Sequence, residues 1–363
     1  MWPIWRPDAK AVLLDKKVRA SLARYFDVMV DDKPAKFLIA KKLSAAFNKN
    51  DSIKKLWKLH DQVLEEFFCL EKIIDTKQKR LEELDSPEKS FLDLKIEIAN
   101  RILESCCLCT HRCGSNRLNG ELGYCRCRTH ATVSTIFPHT GEEPELVPSG
   151  TIFTLGCTLK CVHCQNWRIS QWVESGSPYS SEQLALGVEA LRRDGCRNVN
   201  LVGGDPTSWL SQWLKAFRYV TVNVPVVWNS NSYYSEETAK LLAGLADVYL
   251  LDFKYGPKDC AERLSDAPNY WMSCTRNNLD AKNYGDLIIR FLVLPRHLEC
   301  CTKPVLKWIS TNFGKSIRVN LMFQYHPEWR AHEIPELRRR LTEAERKRAL
   351  ELVKKARLTN FIT

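Results

Sequence analysis

The stretch that decides the fold reads Thr151-Ile152-Phe153-Thr154-Leu155-Gly156-Cys157-Thr158-Leu159-Lys160-Cys161-Val162-His163-Cys164. Its first part is an apolar run typical of a buried β-strand, and its second part carries three cysteines in a C-x3-C-x2-C pattern. A four-iron cluster usually has four cysteine ligands, which close all of its coordination positions. Three thiolates hold only three of the four irons. The pattern therefore predicts a [4Fe–4S] cluster with one iron open to a ligand that the protein does not supply.

Zinc is the alternative to iron at these cysteines. A structural zinc site has four ligands, and the trio is one ligand short unless His163 supplies the fourth. We therefore favour the open cluster. A disulfide is disfavoured, because the chain's fifteen cysteines are clustered rather than spread as a disulfide framework.

The composition is that of a globular protein in a reducing compartment. With 363 residues, 44% hydrophobic and 27% charged, the chain can bury a substantial core and is long enough for two domains. The opening residues Met1-Trp2-Pro3-Ile4-Trp5-Arg6 lack the basic start and apolar stretch of a signal peptide. No segment approaches the roughly 18 apolar residues of a membrane span. We expect a cytoplasmic protein without membrane association.

The formal net charge of +11 raises nucleic acid as a partner, since clustered basic residues bind phosphates. The basic residues alternate with acids, however, as in Lys77-Gln78-Lys79-Arg80-Leu81-Glu82-Glu83. This pattern favours a solvated helix face over nucleic-acid binding. The charge also favours anionic cofactors and acidic redox partners.

Residues 1–104 contain no glycine and carry helical patterns, and they are expected to form a helical N-terminal extension. Asp51 is the predicted N-cap of one of its helices. From about residue 150 to 356 the pattern alternates between strands and helices. The predicted strands are Thr151–Leu155, Asn198–Val202, Val224–Trp228, Asp247–Leu251, Leu287–Val293 and Ile317–Met322. Such βα units predict an α/β fold with a parallel sheet covered by helices.

Capping boxes support two helices of this region: Ser180 with Gln183, and Thr342 with Glu345. The sites of such folds lie at the carboxyl ends of the strands, which is where the cysteine motif falls. Gly203-Gly204-Asp205 follows the second predicted strand, and its glycines allow close approach of a ligand to the backbone. Asn229 lies in a polar run at the end of the third strand.

Charged residues follow or interrupt the later strands. Asp252 and Lys254 are two apart and so point to the same face, and such a pair is costly to bury unless it has further partners. Arg290 lies within an apolar strand, where a buried anion such as a cofactor carboxylate would explain it. His326 follows the last strand. All four are predicted to face one site.

Several of these segments resemble the radical S-adenosylmethionine (SAM) superfamily. The stretches GCTLKCVHCQNWRISQ, VGGDPT, LDFKY, IIRFLVLP and NLMFQYHP are similar to the branch related to pyruvate formate-lyase activating enzyme. The resemblance covers about residues 104–356 and implies a partial (β/α)6 barrel. It also implies that SAM chelates the open iron, that Gly203, Gly204 and Asp205 orient its methionine part, and that Asp252, Lys254, Arg290 and His326 complete the cofactor pocket. From its place at the end of the third strand, Asn229 is predicted to hydrogen-bond the ribose or the methionine carboxylate of SAM. Asp205 stands where the family has Glu.

A second cysteine set lies in residues 105–130, which we predict to be a cysteine-rich metal-binding segment. Cys106, Cys109, Cys113 and Cys125 form a C-x2-C-x3-C-x11-C pattern, whose four thiolates would close a site for zinc or for a second iron–sulfur cluster. Cys107 and Cys127 are alternative ligands of this site. The other cysteines are expected to be small core residues: Cys69, Cys196, Cys260, Cys274, Cys300 and Cys301.

The resulting hypothesis is an enzyme that cleaves SAM reductively at a [4Fe–4S] cluster to a 5′-deoxyadenosyl radical, which abstracts hydrogen from a substrate. The resemblance implies a glycine residue of a partner enzyme as a substrate, and a reductant such as flavodoxin or ferredoxin. Two alternatives stay open. One is an iron–sulfur electron carrier or scaffold that does not cleave SAM, and the other is a radical SAM enzyme that modifies RNA.

Overall fold

The computed structural model describes residues 2–174 and 176–363, that is, all residues except Met1 and Ser175. The N-terminal region is helical, as predicted. Its α-helices are α1 (Trp2–Trp5), α2 (Pro7–Ala11), α3 (Lys16–Ser21), α4 (Ala23–Met29), α5 (Lys36–Lys42), α6 (Ile53–Asp75) and α7 (Phe91–Ile102).

One N-cap prediction in this region is wrong. Ser52, not Asp51, caps α6, and its hydroxyl accepts a hydrogen bond from the Lys55 backbone N–H at 3.3 Å. The Asp51 carboxylate instead accepts from the Asn48 backbone N–H at 2.9 Å. Adjacent Asp and Ser are both good caps, and the local turn decides between them.

The described residues form a nine-stranded sheet in the order β3-β1-β2-β4-β5-β6-β7-β8-β9. Strand β1 is antiparallel to both β3 and β2, and every later pair is parallel. The strands are β1 (Ala131–His139), β2 (Ser149–Thr154), β3 (Ser177–Tyr179), β4 (Asn198–Gly203), β5 (Val226–Ser230), β6 (Val248–Asp252), β7 (Asp286–Leu292), β8 (Arg318–Met322) and β9 (Phe361–Ile362). The six predicted strands are β2 and β4 to β8, so the α/β fold class is confirmed.

Helices alternate with the parallel strands. They are α8 (Ser181–Arg193), α9 (Leu210–Tyr219), α10 (Glu236–Leu242), α11 (Cys260–Ser265), α12 (Tyr270–Tyr284), α13 (Lys303–Phe313) and α14 (Glu343–Lys355). Both predicted capping boxes are present, at Ser180 with Gln183 and at Thr342 with Glu345. In the described chain, no helix combines the length and the apolar composition that a membrane crossing requires.

The N-terminal helices close the end of the barrel at which the strands begin. Phe26 of α4 packs in one buried cluster with Val227, Leu250 and Ile288. Each of these three lies two residues before a polar residue of its strand described below, so both point to the same face of the sheet. Tyr25 belongs to the same closed end, which is called the floor of the barrel below, because its hydroxyl donates to the Glu145 carbonyl at 3.0 Å. The opposite end of the barrel therefore holds the open site.

Buried polar contacts fix this floor. Arg318 makes two contacts to the Glu145 carboxylate, at 2.7 and 2.9 Å, and both side chains are buried. Arg24 of α4 donates to Asp247 at 2.9 Å, which ties the extension to the start of β6. Breaking one partner of such a buried pair costs several kcal/mol, about 3–5. The helical extension is thus packed against the barrel.

Candidate active site

The cysteine motif leaves the sheet at Gly156, directly after β2. Gly156 has φ +81°, and a Cβ there would lie 2.8 Å from the Cys125 carbonyl oxygen. Only glycine suits this backbone, because it combines a left-handed conformation with a close approach to the upstream segment. The turn delivers Cys157, Cys161 and Cys164 to the carboxyl end of β2.

Each of these three thiols has its own polar side-chain partner. The Asn231 amide donates to Cys157 Sγ at 3.5 Å, and the Ser265 hydroxyl donates to Cys161 Sγ at 3.0 Å. The Ser170 hydroxyl lies 3.2 Å from Cys164 Sγ. Sequence reasoning missed these partners, because they come from three separate segments that only the fold brings together. Hydrogen bonds to sulfur are a means of tuning an iron–sulfur cluster.

The thiols of the motif suit a bound metal better than a metal-free state. Burial raises the pKa of the Cys157 thiol, and the charge of Asp205 raises it further. Burial also raises the pKa of Cys164, to about 11. A coordinating metal removes the proton from a thiol outright, so bound iron would stabilise the thiolate form that burial disfavours. The donor set of the trio therefore fits a [4Fe–4S] cluster.

The trio borders a cavity of about 350 Å³, within the usual range for a small-molecule site. Among the described residues, its lining includes no fourth cysteine. The predicted site residues that line it are Cys157, Cys161, Cys164, Gly203, Gly204, Asn229, Asp252, Lys254 and Arg290. Segments far apart in sequence thus converge on one chamber at the carboxyl ends of the strands.

Asp252, Lys254 and Arg290 form a linked charge group in this cavity. The Lys254 ammonium lies 2.7 Å from one Asp252 oxygen, and Arg290 Nε donates to the other at 2.8 Å. Arg290 also donates to the Asn229 side-chain oxygen. Burial would raise the pKa of Asp252, but the two cations outweigh burial and the pKa is lowered. The carboxylate is therefore ionised and fixes both cations.

Two glutamates that sequence reasoning missed also face Arg290. Glu142 lies 3.6 Å from its guanidinium, and Glu143 accepts from the Asn320 amide at 2.9 Å. Burial raises the pKa of Glu143 to about 7, and the neighbouring Glu142 charge adds to the increase. Their signal in the sequence is weak, because Gly141-Glu142-Glu143-Pro144 reads as an exposed turn.

The glycines and Asp205 are engaged by the protein itself. A Cβ on Gly204 would lie 2.0 Å from the Gly156 carbonyl oxygen, so close packing alone requires glycine there. The Asp205 carboxylate is buried and accepts from Thr207 N–H at 3.0 Å, Ser230 Oγ at 3.0 Å and Asn231 N–H at 2.9 Å. The carboxylate therefore holds the turns after β4 and β5 together.

The two histidines of the predicted region differ in position. His326 is part-exposed at the rim, with Nε2 3.1 Å from the Gln165 amide and Nδ1 3.2 Å from Glu328, and it does not line the cavity. His163 is buried beside Tyr255 and Tyr325, with ring centroids 6.4 and 6.0 Å away. Burial lowers the pKa of His163 to about 3, so its imidazole is neutral near pH 7.

The upstream cysteines lie close enough to one another to interact electrostatically, because the charges of Cys125, Cys106 and Cys113 each raise the pKa of Cys109 after burial has done so. Arg117 is buried beside this set. Burial lowers its pKa, but the thiols of Cys125, Cys127 and Cys106 raise it by more. A buried cation among thiols favours thiolates. The metal at this segment stays a prediction.

A different cysteine group converges most tightly, and sequence reasoning missed it. The ligand atoms of Cys260, His297, Cys300 and Cys301 all lie within 4.8 Å of one another. Hydrogen bonding from Cys301 lowers the pKa of Cys260 to about 7 and that of Cys300 to about 6. As expected, Cys260 and Cys301 are buried in the core and Cys300 packs against it, but their convergence with His297 was not expected.

Among the other cysteines expected in the core, Cys196 and Cys274 are buried, whereas Cys69 is exposed on α6. An exposed cysteine has no packing role, so that expectation is wrong for Cys69.

Comparison with known proteins agrees with this site. Residues 151–309 match the Radical SAM superfamily. The chain is 44% identical over 343 residues to the uncharacterized protein MJ0674 of Methanocaldococcus jannaschii, covering 93% of this chain and 98% of the relative. A second protein of that organism, MJ0808, is 24% identical over 200 residues, covering 50% of this chain and 54% of the relative.

Solved structures show a partial likeness to SuiB of Streptococcus suis. The structure of SuiB bound to precursor peptide SuiA aligns with a TM-score of 0.41 and 14% identity over 56% of this chain. SuiB bound to S-adenosylmethionine aligns with a TM-score of 0.41 and 16% identity over 57% of this chain. This chain covers 46% and 48% of those chains, slightly under half.

The family assignment rests on the sequence matches and on the cysteine motif placed at the carboxyl end of the first parallel strand. Residues 151–309 form a Radical SAM superfamily domain, and the chain as a whole belongs to one family with MJ0674.

Proposed function

We propose that this radical SAM enzyme cleaves SAM reductively in the cavity beside Cys157, Cys161 and Cys164, and abstracts hydrogen from a substrate at the open end of the barrel. The observation that carries this proposal is the three-cysteine donor set. Each thiol has a polar partner, and the described lining of the cavity offers no fourth cysteine to close a cluster. A cluster held this way keeps one iron open.

When bound, the reduced cluster would supply the electron that splits the SAM sulfonium to a 5′-deoxyadenosyl radical. The chain's own residues would bind SAM and orient it. Lys254 and Arg290 supply positive charge for the SAM carboxylate, and Asp252 holds both cations in place. Gly203 and Gly204 keep the cavity wall free of side chains. His326, at the rim, would contact the adenosine part of SAM.

Asp205 has a positioning role in this proposal. Its carboxylate already accepts three hydrogen bonds from the turns after β4 and β5. The backbone of the Gly-Gly-Asp segment, not the Asp205 side chain, then contacts the methionine part of SAM.

For the substrate we propose a glycine residue of a partner enzyme, as in the activating-enzyme branch that the motifs resemble. An aromatic cluster of Trp167, Trp172 and Trp329 follows the cavity residues in sequence, with ring centroids 4.4 to 5.1 Å apart. Trp172 is half exposed, which suits contact with a protein surface.

Fifteen free cysteines suit a reducing cytoplasm, and flavodoxin or ferredoxin would supply the electron.

The test is an anaerobic assay. The iron-reconstituted protein is reduced with dithionite, given SAM and analysed for 5′-deoxyadenosine. We expect product from the wild type and none from the variant in which all three motif cysteines are alanine. A fully loaded cluster that yields no product would remove the enzyme proposal.

The same preparation separates the alternatives. An electron carrier or scaffold would show no change in the electron paramagnetic resonance spectrum of the cluster when SAM is added. An RNA-modifying enzyme would lose activity on a cell extract once ribonuclease has removed the RNA from that extract. Its binding to RNA would also weaken as the salt concentration rises. We expect a SAM-dependent spectrum and no effect of ribonuclease.

We further propose that Cys106, Cys109, Cys113 and Cys125 hold a second iron–sulfur cluster. The support is the buried Arg117 among these thiols, together with thiols that interact electrostatically without being drawn into a tight group. Cys109→Ala should lower the iron content by about two or four atoms per chain. An unchanged iron content with a loss of zinc would assign zinc to the segment instead.

A further inference from the structure

We propose that Cys260, His297, Cys300 and Cys301 form a closed tetrahedral site for one divalent zinc-class ion. The site is separate from the SAM cluster motif and from the upstream cysteines. It stands on interatomic distances, on backbone placement and on the chemistry of the donor atoms. It does not depend on the proposed reaction.

The distances match a single tetrahedral ion. Cys260 Sγ lies 3.7 Å from Cys300 Sγ, and His297 Nδ1 lies 3.5 Å from Cys260 Sγ and 3.4 Å from Cys300 Sγ. With zinc–sulfur bonds of about 2.3 Å and zinc–nitrogen bonds of about 2.0–2.1 Å, a tetrahedron has S–S edges of about 3.8 Å and S–N edges of about 3.5 Å. The observed separations agree with both edges.

The backbone holds three ligands on one turn. His297, Cys300 and Cys301 are spaced i, i+3 and i+4 around a π-helical turn at Leu298–Thr302, which puts them on one side. Cys260, the first residue of α11, comes from the loop after β6. Gly256 of that loop passes so close that a Cβ would lie 2.0 Å from the Cys300 carbonyl oxygen.

The donor set selects the class of ion. Three thiols and one imidazole are soft ligands that suit zinc and exclude calcium or magnesium, which take oxygen ligands. Four protein ligands leave no position for substrate. A four-iron cubane binds each cysteine to a different iron, so thiols 3.7 Å apart fit one shared ion better than a cluster.

The far side of the imidazole also resembles a zinc site. His297 Nε2 is buried and lies 3.9 Å from the Glu336 carboxylate, which Arg263 contacts at 2.8 Å. Histidine ligands of zinc commonly direct their second nitrogen toward a carboxylate. Glu336 thus lies where it would orient the ring with Nδ1 toward the ion.

The ion would join two loops of the active-site rim. One follows β6, which carries Asp252, and the other follows β7, which carries Arg290. Helix α11, which begins at Cys260, ends at Ser265, and the Ser265 hydroxyl donates to Cys161 Sγ. The ion would therefore fix the support of one thiol of the SAM cluster motif.

The experiment measures zinc content and zinc-edge X-ray absorption on the full-length protein. We expect His297→Ala and Cys300→Ser each to lose about one zinc ion per chain relative to the wild type, whereas Cys196→Ser, a buried cysteine elsewhere, loses none. His297→Cys should keep the ion and change its shell from three sulfurs and one nitrogen to four sulfurs. This variant retains a complete ligand set, so misfolding does not obscure the result.

Two results would overturn the proposal. One is an unchanged zinc content in both His297→Ala and Cys300→Ser. The other is a loss of iron, rather than zinc, in these variants while the iron bound through Cys157, Cys161 and Cys164 is retained.

Discussion

The molecule carries two cysteine groups on the same barrel rim that differ in how far their ligand atoms converge. Cys260, His297, Cys300 and Cys301 have all ligand atoms within 4.8 Å of one another. Among the described residues, Cys157, Cys161 and Cys164 do not form such a tight group, and each thiol has a separate polar partner. The first arrangement has the dimensions of a site for one ion, and the second leaves room for a larger inorganic core.

This difference shows what sequence spacing does and does not report. The trio lies within eight consecutive residues, so its pattern is visible in the sequence. The group at Cys260 is divided between two loops, 37 residues apart from Cys260 to His297. Only the parallel packing of β6 and β7 brings those loops together.

The largest expected effect separates the two groups by function. Cys161→Ala removes a ligand that the proposed cluster needs, so 5′-deoxyadenosine formation should fall by more than about a thousandfold. The zinc content should stay at the wild-type value, because the Cys260 group is untouched. Cys274→Ala, a buried cysteine outside both groups, is the control and should keep its iron and zinc. Loss of zinc in Cys161→Ala would show that the two groups share an ion.

Much of the fold could be predicted because it follows from local patterns. Six parallel strands, two capping boxes and the helical N-terminal region were all readable from periodicity and cap residues. Strands β1 and β3 were not, because β1 lies at the edge of the parallel set and contains Pro138, and β3 has only three residues. Their pairing depends on the register with β2, which a single segment does not encode.

The site could be predicted where its residues stand next to strand ends. Asp252, Lys254 and Arg290 belong to strands or follow them directly, so the parallel sheet carries them to one rim. Ser265, Glu142 and Glu143 could not be predicted, because each sits on a loop or short helix whose direction is set by tertiary packing. The role of Asp205 was also hidden, since two of its three hydrogen bonds come from the last residue of β5 and the residue after it.

A second prediction compares one half-buried thiol from each group in the metal-free protein. The pKa of Cys300 is lowered to about 6 by hydrogen bonding from Cys301, and the pKa of Cys164 is raised to about 11 by burial. At pH 7 Cys300 is mainly thiolate and Cys164 is mainly protonated. Iodoacetamide should therefore modify Cys300 roughly ten to a hundred times faster, since the lower intrinsic nucleophilicity of a low-pKa thiolate offsets part of the difference.

The pH dependence sharpens this comparison. Between pH 7 and 9 the Cys300 rate should stay nearly constant, whereas the Cys164 rate should rise about tenfold per pH unit. Peptide mass spectrometry after timed labelling gives both rates in one sample. Equal rates with the same pH slope would contradict the electrostatic difference between the groups.

A third prediction concerns a titrating residue next to the cavity-lining Glu142 and outside both cysteine groups. The pKa of Glu143 is raised by burial to about 7, so the folded protein keeps this proton at pH values where the unfolded chain, with a pKa near 4.3, releases it. The contribution of Glu143 to the free energy of unfolding is therefore fully present below about pH 4.5. It declines as the pH rises toward 7 and is lost above pH 7. Glu143→Gln removes this dependence.

We expect Glu143→Gln to gain stability over the wild type between pH 5 and pH 8, by roughly 1 to 3 kcal/mol. Denaturant unfolding at the two pH values measures the change. Glu104→Gln, at an exposed carboxylate outside the barrel, should show no such gain. Metal content should be unchanged in both variants, and a loss of iron in Glu143→Gln would mean that the cavity charges hold the cluster.

The smallest expected effect lies where the two groups meet, at Ser265. Its hydroxyl donates to Cys161 Sγ at 3.0 Å and lies 2.5 Å from the Tyr255 hydroxyl, on the helix that begins with Cys260. A donor to sulfur stabilises the more negative, reduced cluster, so Ser265→Ala should lower the reduction potential. One hydrogen bond of about 1 kcal/mol corresponds to tens of millivolts for a one-electron couple. Potentiometric titration measures the shift, and Ser211→Ala, which removes a hydroxyl bonded to Asn100, serves as the control. Because the serine does not bind a metal, the iron and zinc contents of Ser265→Ala should equal those of the wild type. A reduction potential equal to that of the wild type would show that the helix at Cys260 does not tune the cluster.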